Sequence, residues 1–187
     1  MAIDPRALRA VRLKHEHGDL MKLNGSIIKI EPLGSEPYGS YRITFNIRTI
    51  ISSTPAYQSK TVCILELPEN FPVAMPRLHI AEGSGSKPPW HVNWYIGGTW
   101  CAGDWNIEES LVNYVYRCAK ILQFDKGITN PLSWANKDAI PFWNANKNNA
   151  SIIPCDRQTL PTADAPPPPP PKISILSTAK PKITFKP

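Results

Sequence analysis

Apolar positions recur along this chain at two periods, and the switches between them mark its elements. Over residues 4–23, Leu8, Val11 and His15 recur at helical spacing, Asp4 stands where a cap belongs and Pro5 suits a first turn, so a helix is predicted. Segments 26–31, 41–51 and 61–67 are instead rich in Ile, Val, Thr, Phe and Tyr with partial alternation, and Gly, Ser and Pro separate them. Three antiparallel strands are the simplest reading, with a fourth, short one over 77–80 after Pro72 and Pro76. Helical spacing returns over 108–122, where Leu111, Val115, Cys118 and Leu122 share a face and Glu108 and Glu109 fall in the first turn, favoured there by the helix dipole. Cys118 is thereby predicted to be a core residue. Trp134, Ile140, Phe142 and Trp143, scattered among polar residues over 130–149, predict a further short helix docking by its apolar side.

Residues 81–105 have little periodicity and much Gly, Trp and Pro, which makes them the place to look for chemistry. Beyond residue 153 the pattern stops. Pro166 to Pro171 favour an extended polyproline spacer, and 173–185 mixes lysines with apolar residues, as a short linear motif would. The expected organisation is one α+β domain over 1–153 and a proline-rich, basic, disordered tail over 154–187.

Composition narrows the classes. A chain of 187 residues with 42% hydrophobic content suits one ordinary domain plus a tail. No stretch approaches the roughly 18 apolar residues of a membrane span, and the first residues lack a signal-peptide core, so no membrane and a cytoplasmic setting are expected. Cys63, Cys101, Cys118 and Cys155 contain no Cys-x-x-Cys pair, against both a disulfide scaffold and a zinc ribbon. The net charge of +6 falls to +2 without the four lysines Lys172, Lys180, Lys182 and Lys186, so nucleic acid is not the expected partner. Arg6, Arg9 and Arg12 form a basic stripe on the first helix, either a solvated face or a surface for an acidic partner. No glycine-rich phosphate loop is present, so no cofactor is expected.

The decisive motif is His91-Val92-Asn93, followed by Gly98 and then Cys101. It resembles the His-Pro-Asn tripeptide that the ubiquitin-conjugating enzyme family places ten residues before its active cysteine, with a glycine three before it. Tyr57-Gln58, Pro68-Glu69-Asn70-Phe71-Pro72, Pro76, Trp105 and Asn130-Pro131-Leu132 resemble further landmarks of that family, and the likeness covers roughly residues 4–150. The resemblance implies the family's fold: an N-terminal helix, a four-stranded antiparallel sheet, an active-site loop and C-terminal helices. Val92 replaces the family's proline, Trp100 and Ala102 flank the cysteine, the loop over 81–90 is longer and that over 101–105 shorter. These departures fit a divergent, bacterial branch, such as the compact conjugation operons of which some serve phage defence.

The implied function is a carrier that receives a ubiquitin-like modifier from an activating enzyme and passes it to an amine on a protein substrate. Cys101 would be the thiol that holds it. The resemblance makes Asn93 the amide that stabilises the negative carbonyl oxygen or braces the loop. His91 is either a base for Cys101 or, as the resemblance favours, a structural residue that bonds the loop, and Asn130 orients the incoming lysine, which it cannot deprotonate; Asp104 or Asp125 could compensate. The activating enzyme would meet the first helix through Arg6, Arg9 and Arg12. Gly97 and Gly98 either let a thin Gly-Gly tail pass or form an ordinary turn, and Trp90, Trp94, Trp100 and Trp105 wall a groove or fill a core. The alternative is a non-catalytic module of the same fold that only binds a ubiquitin-like protein. A papain-like hydrolase would need a histidine downstream, and none follows His91; zinc held by His79, His91, Cys101 and Cys118 fits no regular spacing. A chain ending Lys186-Pro187 is not expected to be the modifier itself.

Overall fold

The computed structural model describes residues 5–154 and 159–160. The Asp4 cap, Cys155, the polyproline run and the basic end segment lie outside them.

The fold is α+β. Helix α1 (Pro5–Met21) precedes β1 (Ile28–Leu33), β2 (Ser40–Phe45), β3 (Thr49–Ile50), β4 (Tyr57–Gln58), β5 (Thr61–Glu66) and β6 (Arg77–Ile80), and helices α2 (Leu111–Leu122) and α3 (Ala139–Asn146) follow. The main sheet is antiparallel in the order β1-β2-β5-β6, and β3 and β4 form a separate two-stranded hairpin. The segment expected as one strand over 41–51 therefore divides. β2 ends at Phe45, opposite Ile28, and the chain then turns away to pair Thr49 and Ile50 with Gln58 and Tyr57.

Alternation along β2 buries Tyr41, Ile43 and Phe45 against α1 and α2, in one core with Leu13, Leu20, Leu65, Tyr114 and Cys118. Leu160 packs into the same core. A second cluster gathers Ile50, Val92, Phe124, Phe142 and Trp143 beneath α3. Trp134, expected among the docking residues, precedes α3 and is exposed.

The buried stripe of α1 differs from the expected one. Leu8, Val11 and His15 face solvent, whereas Leu13, Glu16 and Leu20 are buried. Glu16 earns its interior place by bonding: one carboxylate oxygen accepts from Arg12 Nε at 2.7 Å and the other from the Leu111 N–H at 2.8 Å. It thus occupies one of the orphan donors at the start of α2. Burial raises its pKa, against the lowering effects of the Leu111 N–H and Arg12. The arginine stripe is likewise committed to the body. Arg9 donates to the carbonyls of Leu67 and Pro68, and Arg12 to that of Glu109, so the three arginines do not stand free as a row.

Helix α2 begins three residues later than the spacing predicts, because Ser110 caps it by accepting from the Asn113 N–H at 3.2 Å. Glu108 and Glu109 precede the helix and are not in its first turn. Leu111, Val115, Cys118 and Leu122 do form its buried face. The helix closes with the Asp125 N–H bonded to the Lys120 carbonyl and the Phe124 N–H to that of Ile121, a Schellman pattern with Phe124 at φ 62°. A left-handed conformation costs a non-glycine residue roughly 1–2 kcal/mol. The Phe124 ring offsets this by packing edge-on against His91, with centroids 4.6 Å apart.

Candidate active site

Cys101 lies on one arm of a β-hairpin that hangs from the edge of the sheet. Thr99 bridges His79, the Ile80 N–H donates to the Gly98 carbonyl at 2.8 Å, and the Trp100 N–H donates to that of Leu78 at 2.9 Å. Residues 98–100 therefore continue the sheet past β6. The chain reverses over 95–99, where Gly98 adopts φ +90° and a Cβ on it would lie 3.4 Å from the Ile80 side chain. Turn geometry accounts for this glycine.

The facing arm pairs Trp94 with Trp100, and the Cys101 N–H donates to the Asn93 carbonyl at 2.9 Å. Side chains alternate across such a pair. Trp94 and Trp100 point inward and are buried, as core filling requires, although their indole N–H groups find no partner among the described residues. Asn93, Tyr95 and Cys101 share the other face, with Asn93 opposite Cys101 and Tyr95 diagonal to it.

Asn93 Oδ1 accepts from the Asn130 backbone N–H at 3.0 Å. Only the amide oxygen can accept, so Nδ2 is turned away from Asn130, and no hydrogen bond engages it among the described residues. Asn93, Trp100, Cys101, Arg117 and Asn130 line a cavity of about 80 Å³. Asn130 contributes its backbone; its side-chain oxygen accepts from the Leu132 N–H at 3.0 Å and shapes the turn.

His91 is fully buried and both of its nitrogens are committed. Nδ1 accepts from the Asn93 N–H at 3.0 Å, so Nε2 carries the proton and faces Thr129 Oγ1 at 3.3 Å. The Thr129 hydroxyl in turn donates to the Asp125 carbonyl at 2.7 Å. Burial lowers the His91 pKa from 6.5 to about 3, so the ring is a neutral strut under the hairpin. Asp125 accepts from the Gly127 N–H at 2.7 Å and lies 3.8 Å from the Lys120 ammonium; it does not line the cavity. Asp104 is exposed next to Gly103, which does.

Three residues at the site carried no recognised signal in the sequence. Thr129 completes the His91 chain. Arg117 of α2 donates to the Ala102 carbonyl at 2.7 Å and grips Glu109 with Nε and Nη2 at 2.9 and 3.0 Å, which pins the backbone just past Cys101 to the helix. Tyr95, exposed at the hairpin tip, shares a face with Cys101, and the charge of the Cys101 thiolate is the chief cause that raises the phenol's pKa. Alternation of Asn93 and Tyr95 against Trp94, and of Thr99 and Cys101 against Trp100, about Gly97-Gly98 was the available sign of this hairpin.

Cys101 is half-buried, whereas Cys63 and Cys118 are fully buried and burial pushes both thiols up. A half-buried thiol thus shares a cavity with Asn93, while the nearest histidine along the chain is locked as a neutral strut. No metal-binding group of three or more His, Cys, Asp or Glu occurs among the described residues. No helix among them is long and apolar enough to cross a membrane.

No family model matches the chain, and no curated protein matches it. Among solved structures, it is similar to the ubiquitin conjugating enzyme E2 UbcA1 from Agrocybe aegerita at 18% identity, over 60% of this chain and 80% of that one, with a TM-score of 0.46.

Proposed function

We propose that this protein carries the C-terminus of a ubiquitin-like protein as a thioester on Cys101, taken from an activating enzyme and passed to an amine on a protein substrate. The observation that carries this reading is the pairing, on one hairpin face, of a half-exposed thiol with an Asn93 Nδ2 that has no partner among the described residues, while His91 is bonded away. A hydrolase needs a base to activate water against its acyl-cysteine, and a carrier needs the reverse. The match of His91, Asn93, Gly98 and Cys101 to the ubiquitin-conjugating spacing supplies the modifier class.

In this reading the Asn93 Nδ2 donates to the carbonyl oxygen as negative charge builds on it, and its Oδ1 holds the loop at Asn130. Asn130 lines the approach of the amine. Asp104 is the nearest exposed carboxylate along the chain to receive its proton. The activating enzyme would meet α1 on the exposed side bearing Leu8 and Val11, since Arg9 and Arg12 are bonded to the body.

The test mixes the protein with ATP, its activating enzyme and its ubiquitin-like partner and reads non-reducing gels and intact mass. The expected result is a thiol-sensitive adduct on the wild type, none on Cys101→Ala, and a thiol-resistant ester on Cys101→Ser. No adduct on the wild type, with the activating enzyme itself charged, would replace this reading with the non-catalytic binding module.

A further inference from the structure

From the diagonal placement of Tyr95 and Cys101 on one face of the hairpin, we infer that the Tyr95 hydroxyl is a catalytic hydrogen-bond donor to the Cys101 thiolate. The inference deepens the carrier reading and rests on it.

The hairpin fixes the pair. Cys101 faces Asn93 across the turn, as the Cys101 N–H to Asn93 carbonyl bond records, and Tyr95 is two residues further along on the same side. Side chains in this diagonal relation lie within reach of an aromatic ring. The Tyr95 N–H to Thr99 carbonyl bond at 2.9 Å and the Gly98 N–H to Tyr95 carbonyl bond at 2.9 Å hold its backbone on both edges. The turn thus places the phenol on the face that carries the thiol, and the exposed ring is not consumed by a core contact. The raised pKa of Tyr95 keeps its proton in place at neutral pH, so the group acts as a donor.

In transfer, the substrate nitrogen bonds to the carbonyl carbon and a negative tetrahedral centre forms. The carbon–sulfur bond then breaks, its electron pair goes to sulfur, and the proton leaving nitrogen passes to Asp104 and from there to solvent. Tyr95 keeps its own proton covalently on oxygen and shares it with the departing thiolate as a charge-assisted hydrogen bond. Asn93 and Tyr95 would divide the work, one at the carbonyl oxygen and one at sulfur.

The experiment compares wild type with Tyr95→Phe in two measurements. Iodoacetamide labelling of the full chain against pH, read on the Cys101 peptide by mass spectrometry, needs no modifier. Labelling at pH 7 should be about fivefold slower in Tyr95→Phe, and the two should converge at pH 10, as for loss of one modest hydrogen bond to a charged group. Discharge of the preformed thioester to free lysine should slow by a similar factor. Equal labelling profiles, or a shifted profile with unchanged discharge, would overturn the catalytic role of Tyr95. Wild type that never charges while its labelling profile still depends on Tyr95 would instead overturn the carrier reading, and with it the transfer step assigned to Tyr95. Tyr95 is exposed, and matched thermal melts of the two proteins exclude a folding defect as the cause.

Discussion

The side-chain oxygen of Asn93 lies 3.0 Å from the backbone nitrogen of Asn130, so one amide both closes the loop after α2 and turns its donor away from that loop. The two functions separate by substitution. Asn93→Asp keeps an oxygen for Asn130 but loses the donor, and should slow transfer about 100-fold or more with little change in urea midpoint. Asn93→Ala loses both, and should show the same defect plus about 1 kcal/mol of lost stability. Equal transfer by Asn93→Asp and wild type would confine Asn93 to bracing.

His91 makes stability depend on pH. The unfolded imidazole binds a proton near 6.5 and the folded one only near 3, so between these values the unfolded chain holds more protons. Stability from this residue is therefore complete above pH 6.5, declines as pH falls, and stops declining near 3. Urea unfolding should lose about 2 kcal/mol between pH 7.5 and pH 5. His91→Gln should be less stable at pH 7.5 and lose most of that slope; an unchanged slope would show that another group carries it.

Arg117 positions Cys101 from the helix side, through the Ala102 carbonyl. Arg117→Met should cost about 1–2 kcal/mol, since the Glu109 pair is partly open to solvent. Discharge should slow about tenfold or more through displacement of the thiol. Glu109→Gln, which retains the Ala102 bond, should affect discharge much less. Equal effects of the two would assign the role to the ion pair.

Glu16 tests how two helices are joined. Glu16→Ala leaves the Leu111 N–H and Arg12 without their acceptor and should cost about 3 kcal/mol in urea unfolding. Glu16→Gln retains an oxygen for Leu111 and removes the charge whose burial raises the pKa, so its cost should stay below about 1 kcal/mol. Equal costs for the two would mean that the charge, and not the bond to α2, is what matters.

These same residues show how far the sequence could be read. The four main strands follow from β-branched and aromatic runs, and the buried face of α2 follows from Leu111, Val115, Cys118 and Leu122, because in both cases burial and residue type agree. α1 was misread because its inward stripe has a carboxylate in the middle: Leu13, Glu16 and Leu20 look broken until Leu111 supplies the partner from 95 residues away. The start of α2 was misplaced because Ser110 outcompetes the acids before it as a cap. At the site, the spacing of His91, Asn93 and Cys101 was visible, and the structure sets Asn93 beside Cys101. Tyr95 and Arg117 were not found, since one depends on the hairpin register and the other on a contact between distant elements.

The hairpin that carries Cys101 also covers the open rim of β6, whose backbone groups would otherwise invite another chain to pair with them. The placement of the thiol and the cover of the sheet's edge therefore share one strip of backbone. A lesion that loosens residues 93–101 uncovers a sticky rim as it silences the thiol, so a poorly active hairpin variant should reveal itself as a self-associating one.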